Sequence, residues 1–295
     1  MHKLALLVTC FNQEQQIIKT LDTLVNQSLD NNLYTIYVSD DQSTDNSLSV
    51  LNEYAKHHDN VVITTNLHKS FVGANRNHLI NIFEEEFAIF IDGDDPQDSG
   101  FVKSVYDQLD FKHDTFFFTN FTEVWNDKRV EKNALNYDNF MFKAYSKKLL
   151  KSTKVNDQIM IGEDVEYAFR YYQQLHENST TINANYLLNR CDKNISLTKN
   201  SDIQKRYNLE LDLYNLLNQE IYTNIEELNI KINNKRVELI QLAIMLDQTP
   251  HQFAIDSKCL TSKFKISYYV YRITKTLHCL GIYKFLLIKK IGHKI

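Results

Sequence analysis

The stretch "FAIFIDGDDPQDSG" (Phe87–Gly100) decides how the rest of this chain is read. Phe87 to Ile91 form an apolar run of the length and composition that a buried strand uses. It runs straight into Asp92, Asp94 and Asp95. Carboxylates that close repel one another and need solvent or a cation. A buried strand ending in such a cluster puts charge at a sheet edge, which is where open α/β sheets bind ligands.

Working outward, "LALLVT" (4–9), "YTIYVS" (34–39), "VVITT" (61–65) and "TFFFT" (115–119) read as further strands. After Asn12, a good N-cap, the residues Ile17, Ile18, Leu21, Leu24 and Val25 recur at helical spacing. Leu48, Leu51 and Ala55 mark a second helix, "GANRNHLINIF" (73–83) a third, and Phe101, Val102, Val105 and Leu109 a fourth. This alternation predicts an α/β fold, a mostly parallel sheet with helices on both faces. On that topology the strand ends at Thr9–Asn12, Asp40–Asp41 and Asp92–Asp95 converge on one edge. No Gly-rich loop follows the first strand, so neither the dinucleotide fingerprint nor the phosphate loop applies.

The bulk numbers agree with one large domain or a domain with an annex: 295 residues, 43% of them hydrophobic. The four cysteines are scattered without metal or disulfide spacing, as expected of reduced thiols. No run of 18 apolar residues exists, and Leu4–Val8 is too short for a signal-peptide core; a cytoplasmic location is expected. Strand signals stop near residue 200, which predicts a catalytic domain over 1–200 and a helical region over 201–295, with helices at 203–230 and 234–247. From Lys263 an amphipathic segment places Ile266, Tyr269, Val270, Ile273, Leu277 and Leu280 on one face. Nine of the 33 basic residues and none of the 37 acidic ones fall in 257–295. Such a tail over 263–295 suits an anionic membrane surface or polymer, or it packs on the catalytic domain or another subunit. No nucleic-acid partner is expected.

Six motifs in order, "VTCFNQEQQI", "VSDDQSTDNS", "GANRN", "FIDGDD", "GEDVEY" and "NRCDKNISLT", resemble an inverting family 2 glycosyltransferase with the GT-A fold. The resemblance covers roughly residues 3 to 200. It implies a UDP-sugar donor, with Thr9 and Phe11 at the base, Asp41 accepting the uracil N3–H, and Arg76 aimed at the diphosphate or the DxD carboxylates. Gln42 stands where the family has a Gly, at a turn that often has positive φ. Asp94 is implied as the Mn2+ or Mg2+ ligand, with Asp92 on the ribose or behind the metal and Asp95 as the competing ligand. Asp164 is implied as general base, with Glu163 orienting it or touching the acceptor. Arg190 and Ser196, with Lys193 next, fall on the segment that closes over the diphosphate. Read alone, each carboxylate pair also suits a helix cap or first turn.

The implied reaction moves a hexose or N-acetylhexosamine from a UDP-sugar to a hydroxyl. The acceptor expected is a glycan or polyol-phosphate of the bacterial surface, such as teichoic acid, capsule or exopolysaccharide, or a lipid-linked oligosaccharide. The alternative is a catalytically weak GT-A scaffold that partners another glycosyltransferase. A nucleotidyltransferase is disfavoured, because it has no use for a base at the Glu163–Asp164 position.

Overall fold

The computed structural model describes residues 3–66, 71–111, 116–125, 128–132, 140–159, 162–171, 179–189, 203–217 and 226–246, with 255, 260, 268, 269 and 271. The chain divides into two compact units, Met1–Asn194 and Ile195–Ile295. In the first, β1 (Leu4–Cys10), β2 (Tyr34–Asp40), β3 (Val61–Thr65) and β4 (Phe87–Asp92) lie parallel in the order β3-β2-β1-β4. Helices α1 (Ile17–Val25), α2 (Ser47–Ala55) and α3 (Val72–Ile82) connect them, and α4 (Phe101–Tyr106) follows β4. Every residue of β1 is buried, which is why its sequence is apolar throughout rather than alternating. Ile17, Leu21 and Leu24 of α1 are fully buried, matching their helical spacing.

The second half of the sheet departs from the expected parallel run. β7 (Lys143–Ser146) sits next to β4, antiparallel, with Phe87 opposite Ser146. β5 (Phe116–Trp125) pairs antiparallel with β7 through Phe116–Phe118 and with β6 (Lys128–Lys132) through Phe121–Trp125. β8 (Ser179–Asn189) runs parallel to β5 along nearly its whole length, on the other edge. The expected strand at 115–119 is therefore half of a longer one that does not neighbour β4. Only two residues separate β5 from β6, and a connection that short forces antiparallel pairing. α5 (Lys147–Lys151) and α6 (Glu163–Arg170) complete the unit's described helices.

In the second unit, α7 (Ile203–Leu217) and α8 (Glu226–Met245) pack together, and the second helix begins earlier than the sequence pattern suggests. Arg236 of α8 donates to the Tyr214 hydroxyl of α7 (3.2 Å). Tyr271 is buried against Ile240 and Ile244, with Tyr268 packed beside them, whereas Tyr269 is 48% exposed. This stretch of the basic segment thus covers α8 with the side opposite to the expected apolar face. Most of 263–295 lies outside the described residues. Among those residues, no helix is long and apolar enough to cross a membrane.

Candidate active site

The sheet register brings the expected strand ends together. Thr9 neighbours both Ser39 and Asp92, and Cys10 neighbours Asp40. Asn12 does not cap α1, which starts at Ile17 after a Gln16 that makes no side-chain cap. Its backbone takes φ 52°, its N–H donates to Ser43 Oγ (2.9 Å) and its Oδ1 accepts from Thr44 N (2.8 Å). Gln13 N donates to Ser47 Oγ (2.8 Å), and Glu14 accepts from Asn46 N (2.9 Å). The loops after β1 and β2 are therefore stitched into one rim. An Asn tolerates the left-handed conformation this requires. Gln42 adopts φ 54°, so the turn keeps the conformation that a Gly would favour.

Asp40 and Asp41 are adjacent and both buried, yet they do different things. Asp40 caps its own turn, accepting from the Ser43 N–H (2.9 Å) and hydroxyl (2.5 Å). Asp41 instead accepts from the Asn66 amide (3.0 Å), across from β3. Phe11 stands 40% exposed at the same rim, and the Cys10 thiol beside it is buried and pushed up to about 12, chiefly by burial, so it is inert. Thr64, at the end of β3, shares a hydrogen bond with His78 Nε2 (2.7 Å).

The DxD turn is built on β8. Tyr186 donates its hydroxyl proton to Asp95 Oδ2 (2.8 Å), and the Tyr186 hydroxyl oxygen accepts from Asp92 N (3.3 Å). Asn189 N donates to Asp95 Oδ1 (2.7 Å), and Asn189 Nδ2 to the Asp94 carbonyl (3.1 Å). Gln97 ties Asp95 O to the backbone of Leu187. Gly93 lies so close to Thr9 O that an added Cβ would sit 2.7 Å from it. Asp95, expected as a competing metal ligand, is thus 1% exposed with both oxygens engaged. Burial, then the charges of Asp92 and Asp94, holds its carboxyl well above the usual range. The hard-oxygen donors remaining for a divalent ion are Asp92, whose side chain is 31% exposed, and the part-buried Asp94. Among the described residues no three ligating side chains gather to hold a metal by themselves. Two carboxylates do fit an ion that takes its other ligands from substrate phosphates and water.

Arg76 of α3 connects this turn to the second acidic motif. Its guanidinium is buried, bonded through Nη1 to Glu163 and 3.6 Å from Asp92 Oδ1, with its carbon 4.9 Å from the centre of the Phe140 ring. Burial opposes the charge, but Glu163, Asp92 and Asp164 together outweigh it and strengthen the cation. The residue thus pairs with Asp92 and with the first residue of α6. Asp164 is half-buried beside Glu163, and its Oδ1 accepts from Val165 N (2.8 Å). Burial first, then the Glu163 charge, pushes its carboxyl up to about 7, against the pull of Arg76 and Lys143. α6 buries Glu163, Glu166, Tyr167 and Ala168. Glu166 is held by Arg170 (2.8 and 2.5 Å) and Tyr167 by Thr153 (2.7 Å).

The site therefore unites Thr9, Phe11, Asp41, Arg76, Asp92, Asp94, Glu163 and Asp164 along one edge or through one charge chain. Arg190, Lys193 and Ser196 lie outside the described residues. Sequence reading missed Asn66, Asn75, Tyr186, Asn189, Phe140 and Lys143. Asn75 and Asn189 lie within the quoted motifs "GANRN" and "NRCDKNISLT", and Asn66 had the signal of a polar residue directly after a strand, at the same edge as Asp41.

A mixed sheet, parallel through β1 to β4 and with carboxylates gathered at the strand ends, is the architecture of the GT-A fold. Consistent with that, the Glycosyl transferase family 2 profile matches residues 5–173. The chain belongs to glycosyl transferase family 2. Over 94 residues it is 40% identical to a poly(ribitol-phosphate) beta-glucosyltransferase of Bacillus spizizenii strain W23, a match covering 32% of this chain and 15% of that protein. Over 214 residues it is 23% identical to a GalNAc(5)-diNAcBac-PP-undecaprenol beta-1,3-glucosyltransferase of Campylobacter jejuni, covering 62% and 69%. The crystal structure of S. aureus TarS 1–349 in complex with UDP-GlcNAc superposes with TM-score 0.65 at 16% identity, covering 99% of this chain and 92% of that one. At that identity the likeness speaks for the fold.

Proposed function

We propose that the chain is an inverting transferase that moves a hexose or N-acetylhexosamine from a UDP-sugar to a hydroxyl of a surface glycopolymer, a teichoic-acid type or lipid-linked glycan. The observation that carries this is the Arg76 bridge, which sets an ionisable base motif, Glu163–Asp164, beside the DxD turn. The relatives' printed activities and the UDP-GlcNAc bound by the TarS structure support the donor and acceptor class.

In this reading Phe11 stacks on the base and Asp41 accepts from it. Asp94 with Asp92 would hold a divalent ion, which would supply neutralisation of the charge growing on the leaving nucleotide. Asp164 takes the acceptor proton as the hydroxyl attacks C1 from the face opposite the nucleotide, so configuration inverts. A carboxyl near 7 is well matched to that task, being ionised in useful amount yet far more basic than an ordinary Asp. Arg76 is assigned to hold Glu163 and Asp92, leaving the diphosphate's cationic contacts to Arg190 and the segment reaching Ser196. Peripheral contact with the inner membrane face through 263–295 belongs to the same proposal.

The test is nucleotide release with UDP-GlcNAc, UDP-Glc, UDP-Gal and UDP-GalNAc in the presence of Mn2+ and a poly(ribitol-phosphate) acceptor. One donor is expected to support turnover, with a rate that rises with pH through about 7. Glu163→Gln removes a like charge from beside Asp164 and is expected to move that limb to lower pH. UDP binding without turnover on any acceptor would favour the scaffold reading.

A further inference from the structure

Behind Asp41 lies a relay of two buried amides, Asn75 of the "GANRN" stretch and Asn66 after β3. Asn75, in the second turn of α3 and 2% exposed, donates through Nδ2 to the backbone carbonyl of Ser39 (3.0 Å). A carbonyl can only accept, so this contact fixes which way the Asn75 amide points. Its Oδ1 must then face Asn66, whose Nδ2 lies 3.2 Å away. Asn66 accordingly presents its NH2 group, and the same nitrogen donates to Asp41 Oδ1 (3.0 Å). Asn66 is itself held at its carbonyl by the side chain of Gln42 (3.1 Å) and at its N–H by Asp40 O (3.2 Å). The polarity of every group in the chain follows from the one at its end.

We propose that Asn75 and Asn66 are positioning residues for nucleobase selection: their relay pins Asp41 as a hydrogen-bond acceptor, so that the site takes a base bearing an N–H at ring position 3. Uracil carries that hydrogen and cytosine does not. The inference rests on the UDP-sugar reading above and adds to it the device that enforces the choice. Asp41 and Asn66 are almost as buried as Asn75, at 6% and 8%, so water does little to replace a lost partner. Three elements meet in the relay, β2 through Ser39, the end of β3 through Asn66 and α3 through Asn75. Loss of either amide reaches Asp41 through these bonds.

The experiment is calorimetric titration of the full chain with UDP and with CDP, in Mn2+, for the parent and for Asn75→Leu. The parent is expected to prefer UDP. Asn75→Leu, nearly equal in volume, removes the acceptor that orients Asn66 and is expected to weaken UDP about tenfold, as Asp41 loses its set position, and to leave CDP unchanged. The loss is expected in the affinity for UDP more than in the rate at saturating donor, a split that a general loss of structure would not give. Equal losses for both nucleotides, or no loss at all, would overturn the relay while the UDP-sugar reading stands. If Asn75→Leu does not fold, Asn66→Ala decides, with the same narrowing of the UDP-to-CDP preference expected. A parent chain that binds neither nucleotide overturns the reading and the relay together.

Discussion

The parallel half of the sheet and its mixed half build the site by different means. β1 to β4 deliver Phe11, Asp41 and Asp92 from their own ends, and the loops that carry them are held by partners in the next loop, such as Asn12 with Thr44 and Gln13 with Ser47. The mixed half supplies little of that kind. Tyr186 and Asn189 of β8 reach Asp95 and Asp94 across more than 90 positions of sequence, and Glu163 of α6 reaches Arg76 across 87. The lesson is that one half fixes its carboxylates by contacts between neighbouring loops, and the other by contacts from far along the chain. Asp95 and Asp164 are both carboxyls raised by burial, one locked under β8 and the other half-buried beside Glu163.

The largest break in this comparison is expected at Asp164. Asp164→Asn should lower turnover by about 10²- to 10⁴-fold, the usual weight of a general base, while UDP affinity by calorimetry is unchanged. Retention of activity would move the base elsewhere. The same substitution tests the charge state. The folded Asp164 carboxyl lies near 7 against an ordinary 3.8, so its protonated form is the one that favours folding. That contribution is full below about 4 and is lost as pH rises through 7. Thermal melts above pH 7 should therefore show Asp164→Asn no less stable than the parent.

Gly93→Ala probes the parallel half. An added Cβ meets Gln13 Oε1 at 2.1 Å and Thr9 O at 2.7 Å, and the backbone oxygen cannot swing aside. A loss of about 1–3 kcal/mol is expected in urea melts, with weaker UDP binding because Thr9 and the DxD turn must separate. Tyr186→Phe probes the other half with less force. It removes one donor from the buried Asp95 and one acceptor from Asp92 N, for about 1–3 kcal/mol of stability, while Asp41 and its rim are untouched. A drop in UDP affinity without a drop in melting temperature would show that β8 acts on the site rather than on folding. Lys103→Ala should be the smallest change, under about 0.5 kcal/mol, since its pair with Asp107 is half-exposed and local to one helix.

How much of this was legible beforehand follows from range. The strands at 4–9, 34–39, 61–65 and 87–91 were readable because burial on both faces demands unbroken apolar runs. The acidic motifs were readable because chemistry concentrates at the ends of such runs. The antiparallel insertion of β7 was not, for "KAYS" is too short to show a period. The fate of Asp95 was equally hidden: nothing in "DGDD" says which carboxylate will meet a tyrosine hydroxyl from residue 186.

By itself, then, the order of residues determined the α/β class, the edge where charge gathers and the residue types available there, since these depend on neighbours a few positions apart. Which carboxylate faces a ligand, which is sealed inside, and which cation joins the two acidic motifs were decided only by the tertiary structure. Burial and through-space charge depend on groups the chain brings together from 80 or more positions away, as it does Arg76 and Glu163.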